Sequence, residues 1–225
     1  MKSIPAGLPI NEASRLLAYL KVKYQPGYFF KKDIHTISGK FGKDKRTVLK
    51  LLKALAISQL IGQDEKAYYL RSWKFITEKE GFNQQAFRAS LHEIRDRKKF
   101  EGLLFGAKVT SIHKAIRKGQ KVRKQGFTDQ SPSSGFLAKA CKISQGKVSE
   151  LKRLASAQGF ITVERSFQDH GEGTQLTANI LKAEIPGIFL KDGKLMRRKA
   201  DKIFSKVETF RIKQRKFKYN KHGKK

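Results

Sequence analysis

Gln145, Ser149 and Arg153 stand four residues apart, with Glu150 beside them, in a stretch otherwise rich in small and apolar residues. Spacings of three and four bring side chains onto one face of a helix. The chemistry open to such a face is hydrogen bonding to the edges of bases. Glutamine matches adenine, arginine matches guanine, and a glutamate accepts from the amino group of cytosine. Lys147 lies in the same turn, and the Ser144 end of the helix presents backbone amides of the kind that hold a phosphate. One hundred positions upstream, Lys45, Arg46, Lys50 and Lys53 make the equivalent face cationic, suited to groove and backbone contact or to sequence-tolerant phosphate binding.

Bond-making chemistry has weaker support. There is no glycine-rich loop ending in Gly-Lys-Ser/Thr, which argues against an ATP-driven machine. His35, His92, His113, His170 and His222 are scattered, without the spacing of a metal site. Asp169, His170 and Glu172 cluster in one polar stretch that reads first as a turn, as does Asp64-Glu65. A metal-dependent nuclease would have to use Asp169 and Glu172. The expectation is therefore no catalytic residue, no metal and no cofactor, with His170 assigned instead to flanking phosphates or a minor groove. Cys141 is the one cysteine, so no internal disulfide can form, and its place among apolar residues reads as core.

Charge narrows the partner. Fifty lysines and arginines against 19 acidic residues give a formal net charge of +31 over 225 residues. Such a surplus repels itself unless a polyanion is the usual partner. Nucleic acid is the expected polyanion, with duplex DNA first and RNA as the alternative. No apolar run has the length of a membrane span. Met1 to Lys21 is interrupted by Pro5, Pro9, Asn11, Glu12 and Arg15, unlike a secretory signal. The expected setting is the cytoplasm, in association with the nucleoid.

The elements that must position these residues can be read next. Ser144 is a good N-cap. Val148, Leu151 and Ala155 then form a narrow apolar stripe that leaves Gln145, Gly146, Ser149, Glu150 and Arg153 outward. Gly159 can end the helix, and Ile161, Val163 and Arg165 alternate like a strand. Upstream, Ser133 to Lys142 supplies a short first helix. Leu137-Ala138, Ile143-Ser144, Val148-Ser149, Leu151 and Gly159-Phe160-Ile161 together resemble the winged helix-turn-helix family of DNA-binding domains. The resemblance implies that the second helix of the pair enters the major groove with its N-terminal residues on base edges.

Sliding the sequence by 100 positions brings a second copy into register without a gap. Val48 meets Val148, Leu51 meets Leu151, Lys53 meets Arg153, Ile37 meets Leu137, and Asp44 falls on the cap position of Ser144. The first copy therefore carries a helix from Asn11 to Tyr24, a shorter one from Lys32 to Phe41, and a third from the Asp44 cap to about Ala56. A hairpin from Leu60 to Trp73 makes its wing, with Lys66 and Arg71 as cations. Tyr19, Phe29-Phe30 and Tyr68-Tyr69 are expected in core or wing packing, and Phe217 and Tyr219 are left as the rings able to stack on bases.

The expected fold class is α+β, mainly α with small β wings. Two winged-helix modules, 1–74 and 107–187, flank a helical connector at 75–106, and a basic helical or disordered tail occupies 188–225. In the connector, Asn83 is expected to cap a helix bearing Phe87, Leu91 and Ile94. In the second module, Phe160 to Phe167 goes out as a strand and Gln175 to Ile180 returns. Leu195, Ile203, Val207 and Phe210 suggest a weak helix in the tail, while Arg211, Lys213, Arg215 and Lys216 add non-specific phosphate contacts. The two modules would act as a covalent pseudo-dimer, in a monomer or a homodimer. The arrangement is similar to that of plasmid replication initiators with paired winged-helix domains, which leaves replication initiation and transcriptional regulation both open.

Overall fold

A computed structural model of the chain describes residues 2–81, 85–122, 132–165, 167–185, 187–199 and 201–211. They form an α+β fold, mainly helical with small antiparallel sheets. The first elements are β1 (Lys2–Pro5) and α1 (Glu12–Lys23). Asn11 caps α1, its side chain accepting from Ser14 N at 2.8 Å. Leu16, Leu17 and Leu20 are fully buried. Next come β2 (Tyr28–Phe30), a 3-10 turn at Lys31–Asp33, α2 (Ile34–Phe41), α3 (Lys45–Ile57), β3 (Ile61–Gln63) and β4 (Ala67–Leu70). In the sheet β4 lies between β2 and β3, antiparallel to both.

The joining region departs from the sequence reading. It contains α4 (Trp73–Lys79), β5 (Gln85–Ala89), α5 (Leu91–Arg95) and the long α6 (Arg97–Val122). Phe87, expected on a helix, is fully buried on β5. That strand runs antiparallel between β1 and β11 (Phe210–Arg211), so its backbone groups are met from both sides. The apparent helical period over Phe87, Leu91 and Ile94 joins one strand residue to two residues of α5. Asn83 lies outside the described residues. The cap seen is Ser90, whose Oγ accepts from Glu93 N at 3.2 Å while Glu93 Oε2 accepts from Ser90 N at 2.7 Å. Because α6 passes through residue 106 unbroken, the expected boundary there falls inside one helix.

Beyond it lie α7 (Ser134–Cys141), α8 (Gln145–Ala157) and β6 (Ile161–Glu164). The expected second hairpin is replaced by a longer detour. Following β6 come β7 (Phe167–Glu172), α9 (Gln175–Leu181), β8 (Ile188–Lys191) and β9 (Lys194–Arg198). They form their own sheet, in the order β7-β9-β8, with Ala178, Ile188 and Leu195 at its centre. Gln175 to Ile180, expected as a returning strand, is helical, since Thr174 caps it by accepting from Thr177 N at 3.3 Å and Ala178 is buried. The partner of β6 is instead β10 (Lys202–Ser205), from the region expected to be a helical or disordered tail. Ile203 is buried against the second core and Val207 against the first, so the apolar residues of that region serve strands and an extended segment rather than a helix.

The repeat is visible in the fold. Residues 41–60 and 141–160 have the same secondary structure position for position, and 41–50 and 141–150 share one pattern of burial. Each third helix ends in the same set of backbone hydrogen bonds, Leu60 N to Leu55 O and Phe160 N to Ala155 O at 2.9 Å each. Two left-handed positions recur as well. Gly42 (φ 72°) answers to Lys142 (φ 55°), and Gly159 (φ 74°) to Gln59 (φ 56°), so each copy has glycine at one and a side chain at the other.

Helix α6 joins the two cores, giving Leu104 and Ala107 to the first and Phe105 and Val109 to the second. Helix α6 lies against α8. A side chain at Gly102 would collide with Gln158 and come within 3.4 Å of Ala155 Cα, and one at Gly106 would meet Val207 Cγ2 at 2.7 Å. Glycine at these two places is what lets α6 approach this closely.

Candidate nucleic-acid interface

Cap chemistry sets the start of each outward face. Asp44 Oδ1 accepts from Thr47 N at 2.8 Å, and Ser144 Oγ accepts from Lys147 N at 3.1 Å. The Thr47 hydroxyl and amide hold the Asp44 carboxyl below its usual range, so it stays ionised. Val48, Leu52 and Leu55 anchor α3 inward, as Val148, Leu151 and Ala155 anchor α8. What remains outward follows from the helical period.

On α3, Lys45, Arg46, Lys50 and Lys53 are all exposed, and none has an acidic partner within ion-pair distance among the described residues. Their charges therefore face solvent uncompensated. Exposed Leu49 sits among them and adds an apolar contact. The α8 face differs in kind. Ser144, Gln145, Ser149, Glu150 and Arg153 are exposed, with Gly146 leaving bare backbone between them.

Lys147 is half-buried at the edge of that face, with its ammonium already engaged. Its Nζ lies 2.9 Å from Glu150 Oε1 and 3.3 Å from Glu101 Oε2 on α6. Burial alone would depress this ammonium, but the hydrogen bonds and charges of Glu150 and Glu101 together raise it above its ordinary value. Lys147 in turn holds Glu150 below the usual glutamate range, first by hydrogen bonding and then by its charge. The outward face of α8 thus carries one anion held ionised and one cation, Arg153, against four cations on α3.

His170 is on β7, within the separate β7-β9-β8 sheet, and not on a hairpin beside α8. Arg211 is held in β11 opposite Gln85 instead of lying in a loose tail. Lys213, Arg215 and Lys216, with Phe217 and Tyr219, lie outside the described residues. Asp169, His170 and Glu172, expected in a turn, lie in the strand β7, where Asp169 pairs with Lys194 of the neighbouring β9 at 3.3 Å and accepts from Gly171 N at 2.8 Å. Among the described residues no three histidine, cysteine or acidic side chains are grouped to hold a metal ion, and no helix is long and apolar enough to cross a membrane.

Three features escaped the sequence reading. The ion pairs from Lys147 through Glu101 to Arg97, and from Arg97 to Glu12, join residues far apart in the chain, which no local spacing could reveal. Lys152 pairs with Asp201 at 2.9 Å, tying α8 to the segment before β10. Phe30 and Tyr69 point outward from the first sheet instead of into its core. The period-two alternation of a strand could have flagged the last of these, because Phe29 and Tyr68 are the buried members of each pair. No known family, no curated protein and no solved structure matches the chain, so the chemistry of these faces is read from its own residues alone.

Proposed function

We infer that the protein binds double-stranded DNA at particular sites, with α3 and α8 as the recognition helices of two winged helix-turn-helix modules in one chain. The observation that carries this is the pairing of two equivalent third helices, 100 positions apart, each buried on one side and open on the other. The order helix, strand, helix, helix, hairpin in 12–70, with β4 between β2 and β3, fits a winged module. The second module repeats its helix pair, with β10 supplying the strand beside β6. The net charge of +31 favours a polyphosphate partner.

The two faces divide the work. Four unpaired cations on α3 supply affinity for phosphates with modest discrimination. Gln145, Ser149, Glu150 and Arg153 supply base-edge donors and acceptors, and Arg153 suits guanine. A site of two unlike halves follows, of the kind occupied by a transcriptional regulator or by the initiator of a plasmid or phage replication origin. Selection of bound fragments from random duplex, followed by footprinting, tests the reading. One split motif is expected, its halves separated by about one helical turn or a multiple of it. Recovery of random fragments with no enriched motif would reject it, and stronger competition by structured RNA would replace it with an RNA-binding role.

A further inference from the structure

The three-stranded sheet of the first module has a face that the groove-reading role does not use. Tyr28 and Phe30 on β2 and Tyr69 on β4 project from it, and they are 42%, 44% and 45% exposed. Large rings at that exposure lose the hydrophobic stabilisation they would gain from burial. Their neighbours in sequence, Phe29 and Tyr68, are buried and stacked on each other at 5.2 Å. The sheet therefore has enough inward aromatics for its core, and the outward three are surplus to it.

These rings form one surface. Tyr28 is the cross-strand partner of Tyr69, and the rings of Tyr28 and Phe30 lie 5.7 Å apart, edge to face. Gly62 on β3 is the partner of Tyr69 on its other side, so no side chain from β3 stands beside that ring at this position. Cations border the surface. Lys32 Nζ sits 5.5 Å from the Phe30 ring, and the Arg71 guanidinium comes within 3.7 Å of where a side chain at Gly62 would begin. Two acids adjoin the surface, and both are hydrogen-bonded to residues of the sheet or its turn. Asp33 accepts from Phe30 N, and Asp64 accepts from the amides of Lys66 and Ala67 and from the Tyr69 hydroxyl.

We propose that this face is a stacking platform for the unpaired bases of single-stranded DNA. Exposed rings interleaved with cations match the two parts of such a strand, because every base offers a π-face and every linkage a phosphate. Protein partners are a poorer fit, since a surface bordered by lysine and arginine favours a polyanion. The choice of DNA rests on the duplex-binding reading. β3 follows α3 after a three-residue turn, so the sheet adjoins the helix proposed to hold the duplex.

The experiment measures fluorescence anisotropy of the full chain with four labelled probes: a twenty-nucleotide oligothymidylate, an oligouridylate and an abasic chain of the same length, and a blunt duplex. Combined Tyr28→Ala, Phe30→Ala and Tyr69→Ala substitution is expected to weaken oligothymidylate binding at least tenfold, because the stacking surface is removed. Duplex binding should change less than about twofold, because phosphate contacts on α3 are untouched. Tyr28→Phe with Tyr69→Phe keeps the rings and should bind like the parent. Arg46→Ala with Lys50→Ala should show the opposite pattern, losing duplex and keeping oligothymidylate. Equal binding of the abasic chain overturns the proposal, since phosphates alone would then suffice. So does a triple variant that loses both probes equally or neither, and tighter binding of oligouridylate overturns the assignment to DNA. Thermal melting of each variant checks folding, and should the triple variant fail to fold, Phe30→Ala and Tyr28→Ala carry the same comparison singly. Loss of site-specific duplex binding with oligothymidylate binding intact would reject the duplex reading and leave the platform standing.

Discussion

The Lys147 ammonium on α8 lies 3.3 Å from Glu101 Oε2 on α6. Glu101 Oε1 is 2.7 Å from Arg97 Nε, Arg97 reaches Glu12 at 3.2 Å, and Glu12 pairs with Arg15 at 2.8 Å. Arg15 is itself buried, donating to the carbonyls of Ile94 and Arg95. A continuous run of alternating charge thus passes from the first helix of one copy to the third helix of the other. Glu101 is nearly buried at its middle, while its partners are more open.

Glu101→Gln keeps the shape and removes the central negative charge, leaving Arg97 and Lys147 without their shared partner. The expected loss is about 2 kcal/mol of unfolding free energy, below the 3–5 kcal/mol of a fully buried pair because both cations are partly solvated. Urea titration reads it as a lower midpoint with an unchanged slope. An unchanged midpoint would show that the run of charges is decorative.

The repeat tests itself at its two left-handed positions. Lys142 and Gln59 carry side chains where the other copy has glycine, and a side chain in this region costs about 1–3 kcal/mol. Lys142→Gly and Gln59→Gly should each recover about 1 kcal/mol, less the added entropy of the unfolded chain. Thermal melting checks it, and a fall in Tm on both changes would mean that the side chains make contacts worth more than the strain.

Glu150 sets a limit on pH dependence. Lys147 holds its pKa below the ordinary glutamate value of 4.5, so it is ionised throughout neutral and mildly acidic solution. A depressed carboxyl contributes stability above its unfolded pKa and loses it only as pH falls through the folded one. Titration of Glu150 should therefore leave duplex binding flat from about pH 5 to pH 8. Glu150→Gln removes a negative charge from the outward face of α8 and, on the proposed duplex-binding reading, should tighten binding to random duplex while relaxing selection at one base pair. Arg153→Ala and Arg46→Ala should cost about 1–3 kcal/mol each on the selected site. Anisotropy on selected and random duplexes separates these effects, and equal losses on both would count against base reading by Arg153.

Truncation separates fold from charge. Ending the chain after Lys199 removes β10 and Asp201, depriving β6 of its partner and Lys152 of its ion pair. Ending it after Arg211 removes Lys213, Arg215 and Lys216 and keeps both. The shorter product should melt earlier, whereas the longer one should keep its Tm and show a shallower dependence of affinity on salt. If both melt alike, β10 adds nothing to the second module.

Much of the helical frame was legible in the sequence. Asn11, Asp44 and Ser144 cap the helices they were expected to cap, because capping is a local event between a side chain and amides three residues on. The outward faces of α3 and α8 followed from the same local period. The errors fall where partners are distant. Nothing near Phe87 announces that strands from residues 2–5 and 210–211 will flank it, and nothing near Glu164 says that its pairing strand waits at residue 202. Lys147 was assigned to the interface because it stands in the right turn, but Glu101, 46 positions earlier, engages its ammonium. The stretch 175–180 reads as a returning strand until Thr174 is recognised as a cap and Ala178 as the one residue the helix must bury.

The late arrival of β10 has a consequence for how the chain is made. A ribosome adds about 5–20 residues each second, so β6 emerges and stays a bare edge for seconds while the sequence between Glu164 and Lys202 is still being translated. The first copy meets no such delay, since β3 and β4 follow each other almost at once. During synthesis one copy can close its sheet while the other waits with an open flank, and the interval is when the nascent protein is most exposed to mispairing with its neighbours.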